Sequence, residues 1–157
     1  MKNLEVKRVL NDVKILDDLI GADFTMAVVD NLELMESKIK GVEAIIKPSK
    51  EYENLMKLRD DMFKKYADVG EDGKMIIKDK QYIITNKDNL AKYSKDIELL
   101  LNDKDNIKVS DIHDKKVAEY NKAMDMDCGI KFNVINSDQV PDNISVKQRR
   151  LIKFMIK

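Results

Sequence analysis

The first third of the chain carries two helical patterns of apolar residues. The first runs along one face at a period of about 3.6 residues and stops at Gly21. Its members are Val6, Val9, Val13, Leu16 and Ile20. The second has alternate spacings of four and three residues, through Val28, Leu32, Met35, Ile39, Val42 and Ile46. Such a narrow stripe needs a packing partner, and the short turn at Gly21 supplies one. We therefore predict an N-terminal helical hairpin over residues 3–47.

Pro48 interrupts the second pattern, which indicates that a new helix starts there with Ser49 as its N-cap. Beyond Gly70-Glu71-Asp72-Gly73, two apolar runs, 74–78 and 81–85, flank the dipeptide Asp79-Lys80. This arrangement predicts a β-hairpin. Asn86 then precedes a further helical face formed by Leu90, Tyr93, Ile97 and Leu100. Residues 49–102 are predicted to form one arm of helix, β-hairpin and helix.

The last third predicts a small α/β end over residues 107–157. We expect a polar loop at 103–106, a short extended segment at 107–109 and a short helical face through Val117, Tyr120 and Met124. Alternating apolar residues after Gly129, namely Ile130, Phe132 and Val134, indicate a strand. Ser145 and Gln148 have the spacing of a capping box that opens a final helix. The predicted fold is α+β and mainly helical, with residues 1–157 as a single domain.

Composition is that of an ordinary globular chain. The 157 residues are 43% hydrophobic and 37% charged, with 5 Gly, 2 Pro and one Cys, so collagenous and disulfide-scaffold classes are excluded. No apolar run approaches the roughly 18 residues that a membrane span needs. The first eight residues lack the apolar core of an export signal, and we expect a cytoplasmic location without membrane contact.

The single histidine, the single cysteine and the polar loops are the candidate positions for catalysis or metal binding. His113 lies between Asp111 and Asp114, which would suit a general base, but no Ser or Cys nucleophile is tied to it by a motif. Cys128 is expected to be a small buried apolar residue. The loop that starts at Asp103 begins like a calcium site, yet it lacks the required glycine and the final glutamate. We predict no catalytic, cofactor-binding or metal-binding residues, and hence no enzyme and no cofactor.

The final helix is the most distinctive surface in the sequence. It carries Lys147, Arg149, Arg150, Lys153 and Lys157, and no acidic residue follows Asp142. Such a helix can contact phosphates or an acidic protein surface, whereas the simpler alternative is that these cations complement the helix dipole. Since 29 basic residues balance 29 acidic ones, direct nucleic-acid binding is not expected. The predicted partner-binding residues are Tyr82, Lys147, Arg149, Arg150 and Lys153.

Two stretches of the chain resemble a known group of proteins. One runs from Glu51-Tyr52 through Lys64-Lys65-Tyr66 to Glu71-Asp72-Gly73-Lys74, with Tyr82 in the hairpin. The other comprises Tyr120-Asn121-Lys122, Ile130-Lys131-Phe132 and the closing Ile144-Ser145 to Phe154-Met155-Ile156. Together these resemble small uncharacterised proteins of bacteriophages and prophages of Gram-positive bacteria. The segment from Tyr93 to Val117 is an extra stretch by comparison. That family has no established activity, so the resemblance implies phage origin and assigns no residue role.

These observations favour a phage-encoded binding protein in the cytoplasm of a bacterial host. We expect it to bind and block a host protein, for example as an anti-CRISPR or other anti-defence inhibitor, with a nucleoprotein effector among the candidate partners. One alternative is a virion assembly factor or minor structural protein that contacts another phage protein. A second is a nucleic-acid-associated accessory protein. The stripe of the second helix also leaves a homodimer open.

Overall fold

The computed structural model describes residues 1–12, 22–79 and 81–157, and this part of the chain is mainly helical, as predicted. Its α-helices are α1 (Asn3–Asn11), α2 (Ala22–Glu43), α3 (Lys50–Tyr66), α4 (Lys87–Leu101), α5 (Lys104–Asp125) and α6 (Val146–Leu151). Two strands of two residues each, β1 (Ile77–Lys78) and β2 (Gln81–Tyr82), form the one sheet among the described residues. The helical part of the predicted fold class is therefore confirmed, and within the described ranges regular strand structure is limited to this hairpin.

The chain divides into two compact units. Unit 1 contains Met1–Ile46 and Val117–Lys157, so the two ends of the chain belong to the same unit. Unit 2 contains Lys47–Lys116. Helix α5 begins in unit 2 and ends in unit 1.

The apolar stripe of α2 provides much of the core of unit 1. Val28, Met35, Ile39 and Val42 are buried, which confirms the packing role predicted from their spacing. Met35 and Ile39 pack with Val6 of α1 and with Cys128. Cys128 is 3% exposed and has the buried apolar position expected of it. The rest of the predicted first helix, from Val13 to Gly21, lies outside the described residues.

The expected strand after Gly129 is not formed. Residues 130–134 have no strand partner among the described residues, and the next residue, Ile135, forms only an isolated bridge with Ile156. The side chain of Asn31 on α2 does what a neighbouring strand would do: its amide donates to the Asn133 carbonyl oxygen at 2.9 Å and its oxygen accepts from the Asn133 N–H at 2.8 Å. The alternation in the sequence reflects an extended segment laid on helices, and the predicted C-terminal sheet is wrong.

Helix α6 is fixed at its start and along one side. The Ser145 hydroxyl accepts from the Gln148 N–H, and the Gln148 side-chain oxygen accepts from the Ser145 N–H at 2.8 Å. This confirms the predicted capping box. Ile152 and Met155, just beyond the helix, are each 1% exposed and pack with Phe24 and neighbouring apolar residues. The last residues of the chain are thus held by a buried apolar cluster.

Unit 2 confirms two of the predicted helix starts. The Ser49 side chain accepts from the Tyr52 N–H at the start of α3, and the Asn86 side chain caps α4. The hairpin pairs Lys78 with Gln81, as the predicted two-residue turn requires, although its strands are shorter than expected and Lys80 lies outside the described residues. Asp79 has a positive φ of 51°, which such turns need.

Helix α5 replaces three predicted elements. The Asp103 carboxylate accepts from the N–H groups of Asp105 and Asn106, so the sequence that begins like a calcium loop is an N-cap. The extended segment expected at 107–109 is helical, and the short helix expected around Val117 is the second half of the same 22-residue helix. The extended segment expected at 107–109 is therefore wrong, whereas the helical face through Val117, Tyr120 and Met124 is confirmed as part of a helix longer than expected.

Candidate functional site

Three cations lie together on the exposed side of the C-terminal segment in unit 1. Arg149, Arg150 and Lys153 are exposed, and we call them the basic ridge. Arg149 and Arg150 follow Val146 at spacings of three and four residues, which places these side chains on one side of α6, and Lys153 lies in the turn just beyond the helix. The buried residues Ile152 and Met155 anchor the same segment in the core. A packed scaffold therefore supports an exposed basic surface.

A first cleft of about 390 Å³ lies beside the ridge. It is lined by all three ridge cations together with Val146 and Ile156. Val146 is 71% exposed at the start of α6. The cleft thus combines aliphatic lining with three positive charges.

A second cleft of about 420 Å³ shares two of the ridge residues, Arg150 and Lys153. Its other lining residues are Met1, Glu5, Val9, Leu151 and Phe154. Phe154 packs on Phe132 with ring centroids 4.6 Å apart, which fixes this part of the lining. Arg150 and Lys153 consequently belong to both clefts.

The ridge cations have no ion pair among the described residues. Lys7 in the same unit shows the contrast, because its amine bonds the Glu43 carboxylate at 2.6 Å and the Tyr120 hydroxyl at 3.1 Å. These hydrogen bonds, the one to Glu43 first, raise the pKa of Lys7. The ridge charges are thus available to an acidic partner.

Among the described residues, Glu5 is the one carboxylate that lines either cleft. Its side chain accepts from the Lys2 backbone N–H at 2.8 Å and belongs to the capping box of α1. The residues after Asp142 include no further acid. The local field of this surface is therefore positive in a chain whose formal net charge is zero.

The structure brings three of the five predicted partner-binding residues together. Lys147 is exposed on α6 but does not line either cleft. Tyr82 belongs to unit 2, where its ring lies 6.4 Å from that of Phe63. Sequence reasoning missed Val146 and Ile156, although the spacing of Val146 from Arg149, Arg150 and Lys153 carried the signal.

His113, the candidate general base, lies in an aromatic contact, and its two acidic neighbours are exposed. His113 stacks on Tyr52 with ring centroids 3.7 Å apart, and its buried Nδ1 atom has no hydrogen-bond partner among the described residues. Asp111 and Asp114 are exposed. In the described ranges, no three His, Cys, Asp or Glu side chains are grouped so that they could hold a metal ion.

No protein-family model, no curated protein and no solved structure matches this chain. Among the described helices, none combines the length and apolar character that crossing a membrane requires.

Proposed function

We propose that this protein is a non-enzymatic binding protein that uses the basic ridge and its clefts to contact another protein. The observation that carries the proposal is the combination of aliphatic lining with three exposed cations in the same cleft, cations that form no ion pair with the described residues. Interfaces gain affinity from apolar and Arg residues at their centre. Both kinds of residue are present here on a segment anchored in the core.

The finer proposal is that the partner is a host protein and that binding blocks it. A defence nuclease or a CRISPR effector fits this role, and the support is the resemblance of the chain to phage and prophage proteins. Under this proposal the protein acts in the host cytoplasm as an anti-defence inhibitor.

The first test is crosslinking in living bacteria. A photoreactive amino acid replaces Val146, which is 71% exposed in the first cleft, or Leu99 on α4 in unit 2, which is 65% exposed and serves as the matched control. We expect a discrete crosslinked protein from the Val146 position only. We also expect the product to disappear when the ridge carries Arg149→Glu, Arg150→Glu and Lys153→Glu. Equal products from both positions, or a product that survives charge reversal, would refute the proposal.

The inhibitory role has its own test in infected cells. Phages are plated on a host with an active CRISPR system that expresses the natural chain, the charge-reversed ridge variant or a control variant. The control reverses Lys87, Lys92 and Lys95, three exposed lysines of α4. Protection of the phage by the natural chain and the control, but not by the ridge variant, is expected. Absence of protection by the natural chain would exclude this system as the target.

A further inference from the structure

Both clefts beside the ridge combine apolar and positive lining. Aliphatic residues Val146 and Ile156 line the first cleft, and the second cleft includes Val9, Leu151 and Phe154. Arg150 and Lys153 are common to both clefts, and the second cleft also contains the Glu5 carboxylate. Two apolar sites therefore share the same pair of cations.

We propose that this surface binds an acidic segment of a partner protein that has an apolar side chain on each side of its acidic centre. The inference rests on the proposed function and adds the chemistry of the partner. The carboxylates would lie on the ridge, and one apolar side chain would enter each cleft. The partner is thus recognised by a charge pattern and an apolar pattern together.

Charge complementarity is the first argument for this occupant. The ridge cations form no ion pair with the described residues, so a partner's carboxylates would meet free positive groups. The guanidinium groups of Arg149 and Arg150 can each donate two parallel hydrogen bonds to one carboxylate. Two adjacent arginines therefore favour closely spaced acidic residues.

The two clefts are the second argument. The clefts are open surface depressions of about 390 and 420 Å³, and each has room for an apolar side chain of a partner. Removal of Val146 and an apolar partner side chain from water favours binding. A purely acidic segment would leave both clefts solvated and would lose this contribution.

Nucleic acid fits the surface less well. Single strands bind by stacking their bases on aromatic side chains, and double strands bind through many phosphate contacts. The first cleft has aliphatic and cationic lining, the second includes one aromatic ring, that of Phe154, and the ridge offers three cations. An acidic protein segment with apolar side chains can contact both the cations and the apolar lining, whereas a phosphate backbone contacts only the cations.

The test measures the binding of defined probes to the purified full-length chain by fluorescence anisotropy. The main probe is a short labelled peptide with central glutamates and a leucine on each side. Two matched peptides replace the glutamates by glutamines or the leucines by serines, and each should bind about tenfold more weakly or worse. A short DNA duplex and anionic lipid vesicles complete the set. Equal or tighter binding of the duplex or the vesicles would overturn the proposal.

Variants of the chain locate the binding. Arg149→Gln, Arg150→Gln and Lys153→Gln together should weaken the main peptide by about tenfold. The same changes at Lys87, Lys92 and Lys95 of α4 should leave it unchanged. The double variant Val9→Thr with Val146→Thr keeps the side-chain shape. It should weaken the binding of the two peptides that carry leucines and leave the serine peptide unchanged. Unfolding midpoints of all variants show that the fold is retained, and equal affinities across the set would refute the inference.

The two proposals fail in different ways. If Val146 still crosslinks to a protein in cells in a charge-dependent manner but none of the peptides binds, the acidic-segment inference is wrong and the binding function stands. If the main peptide binds and no protein crosslinks in cells, the proposed function is wrong and the surface chemistry stands.

Discussion

The imidazole ring of His113 lies nearly parallel to the phenol ring of Tyr52, with centroids 3.7 Å apart and planes inclined by 14°. The pair joins α3 to α5 within unit 2. The buried Nδ1 atom of His113 has no hydrogen-bond partner among the described residues. His113 therefore stabilises the fold through the stacking of its ring and not through a hydrogen bond of this atom.

The stacking predicts opposite effects of two substitutions at His113. His113→Phe keeps the ring and removes the unpaired nitrogen, so the free energy of unfolding should stay equal or rise. His113→Ala removes the ring and should lower it by about 1–2 kcal/mol. Urea unfolding measures both values. A stabilised alanine variant would show that the stack does not contribute, and lost partner binding in both variants would instead favour a functional histidine.

The two hydrogen bonds between the Asn31 side chain and the backbone of Asn133 predict that Asn31 contributes strongly to the stability of the fold. The Asn31 side chain is fully buried and bonds both backbone groups of Asn133. Asn31→Ala leaves these groups unpaired and should lower the free energy of unfolding by about 2–3 kcal/mol. The exposed Asn121→Ala should change it by less than about 0.5 kcal/mol. Similar thermal midpoints for the two variants would contradict this account of the extended segment.

Asp68 predicts a pH dependence of the stability of unit 2. Its carboxylate accepts from the Thr85 hydroxyl at 2.6 Å and the Thr85 N–H at 2.7 Å, and these bonds lower its pKa. A lowered folded-state pKa stabilises the fold above the unfolded-state value of about 3.9. This contribution is lost as the pH falls through the folded-state pKa. Asp68→Asn should therefore weaken the dependence of urea midpoints on pH below about 5.

Asp88→Asn provides the control for Asp68, because Asp88 is an exposed acid in the first turn of α4. Asp96 also has a lowered pKa, from hydrogen bonds with Tyr66 and Lys65, so part of the acid sensitivity should remain in Asp68→Asn. An unchanged pH profile in Asp68→Asn would show that the bonds to Thr85 do not contribute.

The ridge predicts that function and stability can be separated. Arg149→Gln with Arg150→Gln and Lys153→Gln should change the free energy of unfolding by less than about 0.5 kcal/mol, because these exposed cations have no ion pair among the described residues. Lys7→Gln should be more destabilising than this triple variant, since it breaks the bonds to Glu43 and Tyr120. Thermal unfolding compares them, and a destabilised ridge variant would assign the ridge to folding.

The capping box at Ser145 links the stability of the fold to the binding of a partner. Ser145→Ala removes the hydroxyl that accepts from the Gln148 N–H and should lower the free energy of unfolding by about 1 kcal/mol. Because the cap holds the start of α6, partner affinity should fall as well. Ser145→Asp keeps a capping oxygen and should restore both. Reduced stability with unchanged affinity would show that the ridge does not depend on the cap.

Local rules predicted the features that depend on neighbouring residues. The buried stripe of α2, the caps at Ser49, Asn86 and Ser145 and the register of the hairpin turn all follow from spacing and residue type. The cation cluster was also readable, because no acidic residue interrupts the last fifteen positions.

The features that depend on distant residues were not predictable in this way. Alternation at Ile130 and Phe132 indicates an extended segment, but a strand also needs a partner, and here Asn31 supplies the hydrogen bonds from about a hundred residues away. The oxygens of Asp103 suit a cation or a helix cap equally well in sequence, and the neighbouring N–H groups decide between them. The second cleft was hidden because it joins Val9 near one end of the chain with Phe154 near the other.

The closing segment separates buried residues from exposed ones, and this separation affects how its sequence can evolve. Ile152 and Met155 are held in the core, while Val146, Arg149, Arg150 and Lys153 face solvent on the same short stretch. Substitutions at the exposed positions can alter charge and shape without disturbing the residues that maintain the fold. Such a surface can follow a partner that itself mutates, and a lineage of related chains would be expected to vary at these four positions while keeping the apolar pair constant.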